Sequence, residues 1–151
     1  MLNRDFLDIL SAFSDGGVEY LLVGAYALAA HGLVRGTGDI DLWVRPTDEN
    51  ADRVHRALVV FGAPSEQFEA EDFMRPDSVV QLGVPPLRID ILTTISGVEF
   101  SEAWERRTTA ELDGIEVPVL SREHLVANKR AANRPKDRLD LRWLEEKPPR
   151  S

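Results

Sequence analysis

The sequence has no cysteine at all, which excludes disulfides, thiolate metal sites and a cysteine nucleophile. It has no apolar run near the roughly 20 residues that span a bilayer. The longest, Tyr20 to Ala30, is interrupted by Gly24. The opening stretch "MLNRDFLDIL" carries Asp5 and Asp8, so it does not read as a secretory leader, and the expected location is the cytoplasm. Positive charge is also scarce: 18 Lys and Arg against 26 Asp and Glu leave a formal net charge of -8. That balance argues against broad, salt-driven binding along a nucleic acid, which needs a basic face. What remains is an ordinary soluble composition, 43% hydrophobic and 29% charged, in 151 residues that suit one domain with a real core.

The scarce basic residues are unevenly placed. Lys129, Arg130, Arg134, Lys136, Arg138 and Arg142 fall within the stretch "NKRAANRPKDRLDLR". They form either a local basic groove or a solvated helix face with acids nearby.

Periodicity predicts an α-β-α-β-α order followed by β-β-α-β-α-α. Leu2, Phe6, Ile9, Leu10 and Phe13 recur at helical spacing, and Asp15-Gly16-Gly17 stops that helix. "VEYLLVG", 18–24, reads as a buried strand and "AYALAAHGL" as a short helix. A second strand spans 39–45, ended by Pro46. A helix capped by Thr47 follows, with Val54, Ala57, Leu58 and Phe61 as its stripe. Residues 65–73 form a short helix or a loop. The runs 78–84 and 87–93 are expected to pair through Pro85-Pro86. Glu99 to Arg107 reads as a helix, and 115–121 as an edge strand, because Pro118 cannot donate to a ladder. Ser121 caps a helix to about Ala132, Pro135 starts another, and the end "KPPRS" is expected to fray. The economical architecture is a single α/β domain over 1–147, a mixed sheet flanked by helices, with a disordered tail at 148–151.

Within the second strand, "GDIDLWV" places Asp39 and Asp41 two apart and therefore on one face. "LRIDILT" repeats the logic, with Asp90 opposite Ile89 and Ile91. If the two strands are neighbours, the three acids converge. Two carboxylates about 4 Å apart cost on the order of 4 kcal/mol at an effective dielectric near 20, so protons, basic groups or a divalent cation must offset the repulsion. An oxygen-only set suits Mg²⁺ or Mn²⁺, ions that assist in-line phosphoryl displacement. Upstream, strand–Gly24–helix is a turn through which backbone N–H groups approach a phosphate, although a glycine there also serves a tight turn alone.

Taken together, "VGAYALAAHGLVRGTGDIDLWV" and "LRIDILT" resemble the nucleotidyltransferase superfamily, the DNA polymerase β-like fold that includes minimal nucleotidyltransferases and AbiEii-type toxins. Val23-Gly24, Asp39-Ile40-Asp41 and Asp90 match the family pattern, with residues 26–38 as the spacer. The match is close over residues 18–93 and looser over the C-terminal helices with Lys129 and "RPKDRLDL". One departure is Ala25, where the family has glycine or serine. A hydroxyl is lost there and the backbone N–H kept.

The resemblance implies transfer of a nucleoside monophosphate from an NTP, such as ATP, to an acceptor hydroxyl. Asp39, Asp41 and Asp90 would hold Mg²⁺ or Mn²⁺, with Asp90 also activating the acceptor. Gly24 and Ala25 would hold the β/γ phosphates, Arg35 and Thr37 would flank them, and Lys129 would neutralise triphosphate charge. The acceptor could be tRNA, a protein in a toxin–antitoxin pair, or a small molecule such as an antibiotic. The chain is short for a large helical substrate domain, so the acceptor is expected to be bound by a partner, such as an antitoxin, or by a second copy. The rival reading is a catalytically inactive nucleotide-binding module or sensor on the same fold. Tyr26, Trp43, Trp104 and Trp143 are expected as core or interface aromatics. His31, His55 and His124 are expected as capping or surface residues.

Overall fold

Asn3 caps the first helix, α1 (Arg4–Asp15), by accepting from the Asp5 N–H, and Phe6, Ile9, Leu10 and Phe13 form its buried stripe. The computed structural model describes residues 2–34, 38–84 and 87–146. Strand β1 (Tyr20–Val23) is buried throughout and runs straight into α2 (Gly24–Ala30). Strand β2 (Ile40–Val44) is followed by α3 (Asp48–Phe61), where the Thr47 side chain accepts from Asn50 N as the cap. Two short 3₁₀ turns, Ser65–Gln67 and Ala70–Phe73, fill the ambiguous stretch. Strands β3 (Val79–Leu82) and β4 (Ile89–Leu92) then pair antiparallel, while Pro85 and Pro86 lie outside the described residues.

Helix α4 (Phe100–Glu105) is shorter than the sequence predicts. A strand that periodicity does not reveal follows it, β5 (Thr108–Leu112), paired with β6 (Ile115–Val119). The two-residue turn between them, Asp113-Gly114, has φ of 48° and 88°, the left-handed pair that suits a tight hairpin. The strand order is β3-β4-β2-β1-β6-β5, so β6 is not the edge strand that Pro118 suggested. Its parallel pairing to β1 is confined to Leu22–Val119, so one missing donor is tolerated there, and β5 takes the edge. Helices α5 (Arg122–Ala132), capped by Ser121, and α6 (Pro135–Glu146) complete the chain.

The result is a mixed α/β fold, as expected. Strand β2 lies at its centre, antiparallel to β1 and parallel to β4. Alternation along β2 sends Ile40, Leu42 and Val44 to one face and Asp41 and Trp43 to the other. Each large aliphatic side chain so buried is worth about 1.5–3 kcal/mol, which fixes the register of both strands. Residues 147–151, the expected tail among them, lie outside the described residues. Among those that are described, no helix is long and apolar enough to cross a membrane.

Candidate active site

The parallel register of β2 and β4 sets Asp41 directly beside Asp90, with Ile40 beside Ile89 and Leu42 beside Ile91. The alternation that hides the isoleucines therefore forces both acids onto one face. They line a cavity of about 740 Å³ together with Asp39, Gly24 and Ala25. Asp90 is only 7% exposed, and its carboxyl lies within hydrogen-bonding reach of Asp41. Burial first, then the neighbouring Asp90 and Asp39 charges, push the Asp41 carboxyl up to about 6, against a smaller opposing pull from Lys136.

Gly24 has a reason that sequence alone did not supply. Its φ is +70°, and a β-carbon on it would collide with the Asp41 carboxylate. The turn is thus shaped around the acid. No side chain caps the start of α2 at Val23.

Arg88 is the principal residue that sequence reasoning missed. Its Nε donates to Asp90 Oδ1 at 2.8 Å, and its Nη2 donates to Asp90 Oδ2 and Asp39 Oδ2, both at 3.1 Å. The signal was present: Arg88 stands two before Asp90 and so shares its face. The oxygen-only donor set and the elevated Asp41 carboxyl suit a hard divalent ion. With Arg88 between Asp39 and Asp90, however, no group of three or more His, Cys, Asp or Glu side chains among the described residues converges on one ion.

The opposite wall comes from α5 and α6. Asn128 Nδ2 fastens α5 to the loop after β4 by donating to Ser96 O at 3.0 Å. Lys129 reaches the cavity but is buried between Asp137 Oδ1 and Asp140 Oδ2, both at 3.2 Å. Arg134 donates to Asp137 through its backbone N–H at 3.1 Å and its Nε at 2.6 Å, closing the start of α6. Burial alone would raise the Asp137 carboxyl, but the Arg134 and Lys129 contacts outweigh it and hold the group near 2, down from 3.8. The family resemblance had singled out Lys129 and not its partners, although Asp137 and Asp140 lie three apart on one helical face. Lys136 also lines the cavity, and its positive charge acts on Asp41. Arg35 and Thr37 lie outside the described residues.

The aromatics are structural, as expected. Trp43 is 1% exposed and packs edge-on to Phe100 at 5.0 Å, while Trp104 stacks on the same ring. His31 Nε2 pairs with Leu120 O at 2.9 Å, and His55 lies against Phe68. His124 is buried rather than at the surface, within the first turn of α5.

A mixed sheet with an Asp-x-Asp strand beside a third in-register aspartate, entered through a strand–glycine–helix turn, defines a domain of the nucleotidyltransferase class. The chain belongs to the family described as "Nucleotidyl transferase of unknown function (DUF2204)", whose profile matches residues 2–150. Solved structures share the fold at low identity. A candidate nucleotidyltransferase (TM1012) from Thermotoga maritima is 20% identical with a TM-score of 0.61, covering 97% of both chains. The lincosamide antibiotic adenylyltransferase LnuA, solved with lincomycin bound, is 16% identical with a TM-score of 0.62, covering 96% of this chain and 97% of its own. ANT(2")-Ia, in complex with adenylyl-2"-tobramycin, is 17% identical with a TM-score of 0.57, over 92% of this chain and 84% of its own. No curated protein matches the sequence.

Proposed function

We propose that this chain transfers a nucleoside monophosphate from an NTP to the hydroxyl of an acceptor, releasing pyrophosphate. The observation that carries this reading is the Asp41–Asp90 pair, set side by side in a cavity with unmet demand for positive charge. Asp39, Asp41 and Asp90 would hold Mg²⁺ or Mn²⁺, which would offset charge developing on the transferred phosphoryl group and the leaving pyrophosphate. The N–H groups of Gly24 and Ala25 would hold the β/γ phosphates; the phosphate-flanking role that the family resemblance gives Arg35 and Thr37 falls on residues outside those described. Ala25 supplies this backbone donor without a hydroxyl. Lys136 stands on the cavity wall as a cation whose charge acts on Asp41, while Lys129, already shared by two carboxylates, braces that wall. Asp90 accepts the proton of the acceptor hydroxyl. The new O–Pα bond forms as the bond from Pα to the pyrophosphate oxygen breaks.

A small-molecule acceptor is the reading supported by the antibiotic-bound neighbours, LnuA and ANT(2")-Ia. A tRNA or protein acceptor, with an antitoxin or a second copy as partner, is the competing assignment within the same chemistry. A nucleotide sensor without transfer is the competing class, favoured by Ala25 and by the guanidinium already lodged between Asp39 and Asp90.

Incubating the protein with each of the four α-labelled NTPs, Mg²⁺ or Mn²⁺, and panels of hydroxyl-bearing antibiotics, total tRNA and cell protein tests this. Label is expected on one acceptor class, with Asp41→Asn reducing the rate at least about a hundredfold. Nucleotide binding without label on any acceptor would establish the sensor instead.

A further inference from the structure

We infer that Arg88 is a built-in counter-ion that occupies Asp39 and Asp90 in the resting protein, and that its side chain must leave them before a divalent ion can bind. This rests on the reading of the three aspartates as a metal site. The guanidinium grips Asp90 with two donors, at 2.8 and 3.1 Å, and bridges to Asp39 with a third contact at 3.1 Å. Such bidentate, charge-assisted contacts are among the stronger polar interactions of a protein. They fix two of the three acids around a cation that the chain itself supplies. With these contacts made, no group of three or more acids among the described residues is arranged to hold one ion.

The arrangement also shows which part moves. The Arg88 carbonyl accepts from Ile40 N–H at 3.0 Å, and β4 continues in register with β2 from Ile89 onward. Main-chain displacement at Arg88 would break that ladder. The side chain is under no such restraint: it is 27% exposed, and its long stem carries the guanidinium outward by rotation alone. A dication brings twice the charge to the same oxygens and repels the guanidinium as it does so. Arg88 therefore sets a threshold: metal arriving alone competes with it, whereas metal arriving with a polyphosphate offers the displaced guanidinium a new anionic partner.

Manganese alone, followed through the free-ion signal in electron paramagnetic resonance, reads this without any turnover. The full-length wild type, Arg88→Gln, Arg88→Lys and Asp41→Asn are compared at low salt, with melting curves confirming that each is folded. Arg88→Gln is expected to bind Mn²⁺ roughly tenfold more tightly than wild type, because a positive charge adjacent to the ion is gone. Arg88→Lys, which keeps the charge but cannot fork across two carboxylates, is expected to gain less. Removing a nearby positive charge would by itself tighten binding in Arg88→Gln. A gain in Arg88→Lys, which keeps the charge but loses the fork, is therefore the result that supports the inference, and a gain confined to Arg88→Gln overturns it. Unchanged or weaker binding by Arg88→Gln, with wild type still binding and Asp41→Asn impaired, overturns it and leaves the metal site standing. Failure of wild type, both Arg88 variants and Asp41→Asn alike to bind overturns the site and this inference together.

Discussion

Two sets of acids lie at or behind the walls of one cavity, and they differ in how their charge is met. Between α5 and α6, Asp137 and Asp140 share Lys129, and Asp137 has Arg134 as well, so its carboxyl is held near 2. Across the cavity, Asp41 lies against Asp90 and is pushed up to about 6. The first set is complete as folded, and it clamps two helices. The second is short of positive charge even with Arg88 in place, and that shortfall is what supports the proposed transfer chemistry there. A group of ionised residues is informative less by its number than by whether its charges are balanced.

The comparison breaks most severely at Lys129. Lys129→Met keeps the apolar stem but leaves two buried carboxylates without their ammonium, a loss of about 3–5 kcal/mol that lowers the melting temperature by about 10 °C. Calorimetry checks this, and Lys129→Met combined with Asp140→Asn is expected to recover part of the loss. An unchanged melting point would mean that the clamp is not balanced as described.

The next effect runs in the opposite direction. The Asp41 carboxyl titrates at 3.8 when unperturbed and at about 6 in the folded protein. Between those values only the folded state keeps the proton, so stability falls as pH rises from about 4 to 6 and stays lower above that. The penalty at neutral pH is up to about 3 kcal/mol. Asp41→Asn is therefore expected to melt higher than wild type at neutral pH without metal and to flatten this slope. Asp137, whose carboxyl is depressed, contributes stability that is lost only as pH falls from about 4 toward 2. Melting temperatures across pH 2–8 check both signs.

The smallest change is Gly24→Ala. An L-residue at φ +70° costs about 1–2 kcal/mol, and the added methyl also strikes Asp41. A fall of a few degrees in melting temperature together with a loss of transfer is expected. Loss of stability with transfer intact would show that transfer does not need the close fit of the turn to the acid.

Much of this was legible in the sequence because it rests on period-two alternation. Ile40, Leu42, Ile89 and Ile91 demand burial, and Asp41 and Asp90 follow from them. What escaped depends on pairing across the fold. Arg88 was visible on the face of Asp90, yet only the register of β2 with β4 brings it to Asp39. Strand β5 was missed because "TTAEL" is polar and half-exposed at a sheet edge, where no apolar pattern is required, although Asp113-Gly114 marked its hairpin. Pro118 misled for a related reason: it reports a missing donor, not how long the neighbouring ladder is.

The in-register match of β2 and β4 carries one more consequence. Sliding either strand by a single step would turn greasy side chains toward water and drag charge into the oily layer. Misalignment of the acids is thus penalised by the folding reaction itself, before any substrate is present. Changes confined to exposed loops therefore leave the alignment of the acids in place.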